Sequence, residues 1–126
     1  MDLLIDTHIL LWWEWQSSDL SATARAAFND AENRFIVSAA TIWEISIKRN
    51  TDRLDFDGDV IASCKANDFE ILPMTAGHAE LAGSLPLHHT DPFDRMLIAQ
   101  ARIEGLVLFT HDRKLLRYGV PILGVQ

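Results

Sequence analysis

The sequence predicts an α/β fold, a single-domain α/β/α sandwich in which helices cover both faces of a short parallel sheet. Three observations lead there. Short strand candidates alternate with helical segments along the whole length. The strands Leu3 to Ile5, Phe35 to Val37 and Val107 to Phe109 are wholly apolar, the pattern of strands buried on both faces. Residues 1–126, the size of one ordinary domain, contain no linker, repeat or biased tract.

The elements follow in order. Leu3, Leu4 and Ile5 form the first strand before Asp6, and the chain then turns helical. Ser21 caps an Ala-rich helix with apolar positions at Ala24, Ala27, Phe28 and Ala31. The strand Phe35 to Val37 ends at Ser38, and AATIWEISIKRN has helical spacing as far as Asn50. A weaker helix covers Val60 to Asn67, and a strand at Glu70 to Leu72 is ended by Pro73. Thr75 caps a short helix carrying His78, Leu81 and Ala82, which Gly83 is expected to end; Pro86, His88 and His89 mark an exposed loop. DPFDRMLIAQARIEG is the clearest helix, with Asp91 at N-cap, Pro92 at N1, Asp94 at N3 and Gly105 as terminator. After Val107 to Phe109 and Thr110, a short helix HDRKLLRY ends at Gly119, and Ile122 to Val125 is the last strand.

Composition narrows the function. With 48% hydrophobic and 23% charged residues the chain is too apolar for disorder. The one cysteine, Cys64, has no partner for an internal disulfide, and MDLLIDTHILLWW carries acids where a signal peptide needs Lys or Arg. The longest apolar stretch, Ile9 to Trp13, is far short of the ~20 residues that cross a bilayer. A cytoplasmic setting is expected. A net charge of −7 argues against duplex binding through a broadly basic face, so a nucleic-acid role needs a local basic groove or a metal.

Four acids fall where a metal could be held. Asp6 ends the first strand, and Asp112 lies just beyond the strand at Val107 to Phe109. Glu44 shares a helical face with Ala40, Trp43 and Ile47, poor company for an isolated charge, and Asp94 shares a stripe with Leu97, Ile98 and Ala101. In open parallel sheets, ligands bind at the carboxyl ends of the strands near a topological switch point. Clustered carboxylates persist when cations neutralise them, and hard oxygen ligands suit Mg²⁺ or Mn²⁺. Such a site supports hydrolysis of a phosphodiester without a side-chain nucleophile. The sequence has no nucleophile elbow, Cys pair, phosphate loop or dinucleotide fingerprint to suggest other chemistry.

Each acid also has a local reading. Asp91 suffices as an N-cap, Asp94 could complete a capping box, Glu44 could pair with Lys48 one turn on, and Asp112 could cap the helix after it. Their joint placement carries the weight. His8, His78, His88, His89 and His111 lack the spacing of a zinc site. Trp12, Trp13 and Trp15 crowd one short helix whose faces cannot all turn inward, which suggests a partner surface. Basic residues gather at Lys48, Arg49 and Arg53 and again at Arg113, Lys114 and Arg117; Arg49, Arg113 and Lys114 are candidates for contact with phosphates.

LLIDTHILLWW, SAATIWEISIK, HHTDPFDRMLIAQA and LVLFTHDRKL, in this order, resemble the PIN-domain ribonucleases, in particular the VapC-type toxins of type II toxin–antitoxin pairs. The resemblance runs from end to end. It implies a metal-dependent endoribonuclease acting through Mg²⁺ or Mn²⁺, with catalytic and metal-holding acids at Asp6, Glu44, Asp94 and Asp112. Asp91 is an additional acid of the metal-holding set, and Thr7 and Thr110 are supporting hydroxyls. It also implies an RNA substrate, a homodimer and a cognate antitoxin, for which Trp12, Trp13 and Trp15 are the candidate contacts. A response-regulator receiver fits less well, since Asp6 is single where receivers pair two acids and no Lys follows the last strand. A haloacid-dehalogenase-like phosphatase wants an Asp where His8 stands. A catalytically silent binding module would use the Trp-rich helix alone.

Overall fold

The structure, a computed structural model, describes residues 1–125, so Gln126, the end of the expected domain, lies outside it. Five parallel strands, β1 (Asp2–Ile5), β2 (Arg34–Ser38), β3 (Glu70–Leu72), β4 (Val107–Phe109) and β5 (Ile122–Leu123), form one sheet in the order β3-β2-β1-β4-β5. Leu4 stands opposite Ile36 on one side and Leu108 on the other, so β1, whose Leu3, Leu4 and Ile5 are fully buried, is central. From β1 the chain steps outward to β3, then returns to the opposite side of β1 as β4. The connections leaving β1 and β4 therefore diverge and open a crevice at the strands' carboxyl ends. This order also separates the fold from receivers, whose order is 2-1-3-4-5.

Six helices accompany the sheet: α1 (Thr7–Glu14), α2 (Ala22–Phe28), α3 (Ala39–Asn50), α4 (Val60–Ala66), α5 (Ala76–Ser84) and α6 (Pro92–Glu104). The pleat divides the core. Leu3, Ile5, Val37 and Phe109 pack on Ile9, Leu10, Ala24, Val60 and Cys64, whereas Leu4, Ile36 and Leu108 pack on Leu97, Ile98, Ala101, Leu115 and Tyr118. Apolar runs without alternation are what two covered faces require. No helix among the described residues is long and apolar enough to cross a membrane.

Capping residues set the helix starts. Asp6, Ser21, Ser38, Asp59, Thr75 and Asp91 each accept a backbone N–H from the first turn of the following helix. Gly105, with φ 66°, ends α6 in the left-handed conformation that favours glycine. Four expectations need correction. The Ser21-capped helix ends at Phe28 with Asn29 as its C-cap, so Ala31 lies beyond it in a turn. Gly83 does not end α5, which runs on to Ser84 because Ala82 is buried in this stretch and the Gly83 carbonyl accepts from Arg95. Residues Arg113–Tyr118 form a 3₁₀ helix, a tighter winding common in pieces this short. The last strand stops at Leu123, since Gly124 turns away at φ 105° where its backbone passes close to the Thr110 carbonyl.

Candidate active site

The crevice is built from the ends of β1 and β4. Asp6 leaves β1 only 2% exposed. One carboxylate oxygen accepts the His8 amide at 2.9 Å, and the other accepts the Thr110 hydroxyl at 2.7 Å. Thr110 follows β4, and its hydroxyl oxygen in turn accepts the Asp112 amide at 3.1 Å. The two strand ends are thus tied through Asp6. Burial alone would raise the Asp6 pKa, but hydrogen bonds from His8 and Thr110 outweigh it and hold the carboxyl below its ordinary value. His8 in turn is raised by its bond to Asp6, with Nδ1 3.8 Å from Asp6 Oδ1.

Glu44 enters from α3 and is also buried. Its Oε1 accepts the Thr7 hydroxyl at 2.6 Å and its Oε2 accepts Lys48 Nζ at 2.7 Å. Because the Thr7 proton goes to Glu44, the Thr41 hydroxyl 3.2 Å away donates to Thr7. The i,i+4 pairing with Lys48 is present, yet it satisfies only one of the two oxygens.

Asp94 lies in the first turn of α6 and Asp112 caps the 3₁₀ helix through Oδ1, which accepts the Lys114 amide at 2.9 Å. Their Oδ2 atoms meet one side chain, His89, whose Nε2 is 3.1 Å from Asp94 and 3.3 Å from Asp112. No capping box forms at Asp94, because its carboxylate is turned to His89. Asp91 does the capping, accepting the Phe93 amide at 2.9 Å.

Asp94 registers the combined charge. Burial first, then the carboxylates of Asp6, Asp91, Glu44 and Asp112, push its carboxyl up to about 8. Four acids therefore act on Asp94, and the five together come from four stretches of chain. Nε2 of His89 and carboxylate oxygens of Asp94 and Asp112 lie within 4.8 Å of one another. Hard oxygen donors with an excess of negative charge in a half-open crevice are a set that a divalent cation fits.

The other predicted residues are placed more loosely. Arg113 and Lys114 follow Asp112 directly and are exposed. Arg49, at the end of α3, donates to the Gly58 carbonyl and lies over the Phe56 ring. Trp12 is half-buried with its ring 4.5 Å from that of His111; Trp13 stacks on Phe28 at 4.4 Å; Trp15 is 48% exposed. Sequence reasoning missed three participants. His89 is not an exposed loop residue like His88 but reaches two site carboxylates. The His8 ring lies 3.8 Å from Asp6, and Thr41 bonds Thr7 across 34 residues, which no local pattern reveals.

Known proteins share this chain's sequence pattern and its fold. The chain is 28% identical over 122 residues to Ribonuclease VapC22 of Mycobacterium tuberculosis (strain ATCC 25618 / H37Rv), an alignment covering 94% of this chain and 93% of that protein. It is similar in fold to DNA-bound VapBC from Salmonella typhimurium, with TM-score 0.69, 18% identity and coverage of 98% and 97% of the two chains. It is likewise similar to FitAcB from Neisseria gonorrhoeae, with TM-score 0.66, 16% identity and 96% of each chain covered. The PIN domain family matches residues 3–121, nearly the whole sequence, and with that match the chain belongs to the PIN-domain family.

Proposed function

We propose that this chain is a metal-dependent endoribonuclease toxin, neutralised by a cognate antitoxin. The observation that carries the reading is the convergence of Asp6, Glu44, Asp94 and Asp112, from separate elements, on the crevice where β1 and β4 end. The likeness to Ribonuclease VapC22 supports RNA as the substrate, and the solved VapBC assembly from Salmonella typhimurium supports a protein partner.

Bound Mg²⁺ or Mn²⁺ supplies positive charge against the carboxylates and phosphate and lowers the pKa of water. Asp6, Glu44, Asp94 and Asp112 are the residues that hold it, with Asp91 adding negative charge beside Asp94. Thr110 and Thr7 fix the directions of the Asp6 and Glu44 oxygens. Arg113 and Lys114, at the rim beside Asp112, and Arg49 attract the RNA backbone. Water attacks the phosphorus, the P–O3′ bond breaks and the departing 3′ oxygen takes up a proton, so products carry 5′-phosphate and 3′-hydroxyl ends. The antitoxin docks an apolar segment on the α1 surface of Trp12, Trp13 and Trp15 and reaches the acids with an Arg or Lys. The chain works as a homodimer in the cytoplasm; an open apolar hollow of about 250 Å³ beside Trp43, Met74 and Phe93 supports a further covered face.

Expression of the chain without its antitoxin tests the reading. Growth arrest with new RNA ends, both abolished by Asp6→Asn, is the expected result. Arrest that persists undiminished in Asp6→Asn would favour a binding module acting through the Trp surface.

A further inference from the structure

We propose that His89 is a positioning residue of the acidic site, a hydrogen-bond donor to its carboxylates and not a ligand of the cation. The inference deepens the proposed function and rests on its reading of the acids as a metal site. The ring is defined from both sides. The Asp91 amide points at Nδ1 from 3.1 Å, and a backbone N–H can only donate, so Nδ1 presents its lone pair. The hydrogen-bond partners therefore place the proton of the neutral ring on Nε2. Nε2–H faces Oδ2 of Asp94 at 3.1 Å and Oδ2 of Asp112 at 3.3 Å, both acceptors.

A histidine that binds metal through one nitrogen gives its other N–H to an acceptor. His89 has the opposite arrangement. Ligation through Nε2 would leave a proton on Nδ1 directed at the Asp91 N–H, two donors face to face. As a donor, the same ring lessens the repulsion between two carboxylates and orients them from outside the coordination sphere. Its loop is anchored for this purpose. The His89 amide donates to the Tyr118 hydroxyl at 3.0 Å, which itself donates to the Pro86 carbonyl at 2.7 Å. Buried Arg95 donates to the carbonyls of Leu85, Pro86 and His89, so the backbone carrying the ring is held from below.

Long-range ¹H–¹⁵N correlation on the imidazole rings, without metal and saturated with Mg²⁺, reads the tautomer directly in the unaltered protein. The proton is expected on Nε2 in both states. Calorimetric Mg²⁺ titration should show His89→Ala binding about 10- to 100-fold more weakly, the usual loss when an outer partner of a metal ligand is removed. His89→Gln, which keeps a side-chain N–H donor, should recover most of it. A proton found on Nδ1 in the Mg²⁺ state, or equal Mg²⁺ affinity in His89→Ala and the unaltered chain, would overturn the inference alone. If the unaltered chain binds no Mg²⁺, the metal reading falls and the inference with it.

Discussion

A carboxyl group pushed up to about 8, as that of Asp94 is, keeps its proton well above the ordinary carboxylate range. Its folded-state pKa lies above the unfolded value, so its contribution to stability is fully present below about pH 4 and is lost as pH rises toward 8. Asp6 has the opposite sign, because its folded pKa is lowered and its contribution fades only as pH falls through that value. Thermal melts in EDTA should therefore show Tm falling between pH 5 and 8 by more in the unaltered chain than in Asp94→Asn. At pH 8 that variant should be the more stable metal-free protein, by on the order of 1 kcal/mol or about 4 °C. Parallel pH profiles for the two proteins would show that the acids do not load Asp94. At the same scale, His89 was not legible in the sequence. Its loop has no periodicity, and its meaning comes from Asp94 and from Asp112, 23 residues further on.

At the scale of elements, α6 was the most legible, because Asp91, Pro92 and Gly105 set its ends by local chemistry that packing does not override. The three central strands were legible because burial on both faces leaves only apolar residues. Less could be read where tertiary contact decides. Gly83 stays helical where its carbonyl accepts from Arg95 of α6, and β5 stops where Gly124 meets Thr110. A Cβ at Gly124 would lie 2.6 Å from the Thr110 carbonyl oxygen at a φ that side chains avoid. Gly124→Ala should thus cost about 2 kcal/mol by chemical denaturation and disturb the Thr110 hydroxyl that holds Asp6. On α1, Trp13 is committed to Phe28, which leaves Trp12 and Trp15 as the informative positions for the antitoxin. Trp12→Ala should weaken antitoxin binding by more than ~1 kcal/mol in calorimetry while metal-dependent cleavage persists. Unchanged affinity in both Trp12→Ala and Trp15→Ala would place the partner on another surface.

For the whole molecule, a net charge of −7 means that RNA must be met by a few cations and by a neutralised acidic crevice. Charge reversal at Arg113 and Lys114, which directly follow Asp112, should weaken RNA binding more than reversal at Arg25, which lies on α2 and donates to the Ser17 carbonyl. Filter binding at two salt concentrations would detect the difference, and equal losses would deny a local track. The sheet order β3-β2-β1-β4-β5 makes the crevice and brings together acids as far apart in sequence as Asp6 and Asp112. Strand lengths do not encode that order, so the acids' positions along the chain suggested one site without giving its geometry. Cleavage of a single-stranded RNA by the purified chain, with Mg²⁺ or Mn²⁺ and then with EDTA, tests the central claim most directly. The account predicts cleavage leaving 5′-phosphate ends that EDTA stops and Asp94→Asn reduces more than about a hundredfold. Full activity in EDTA, or in Asp94→Asn, would contradict it.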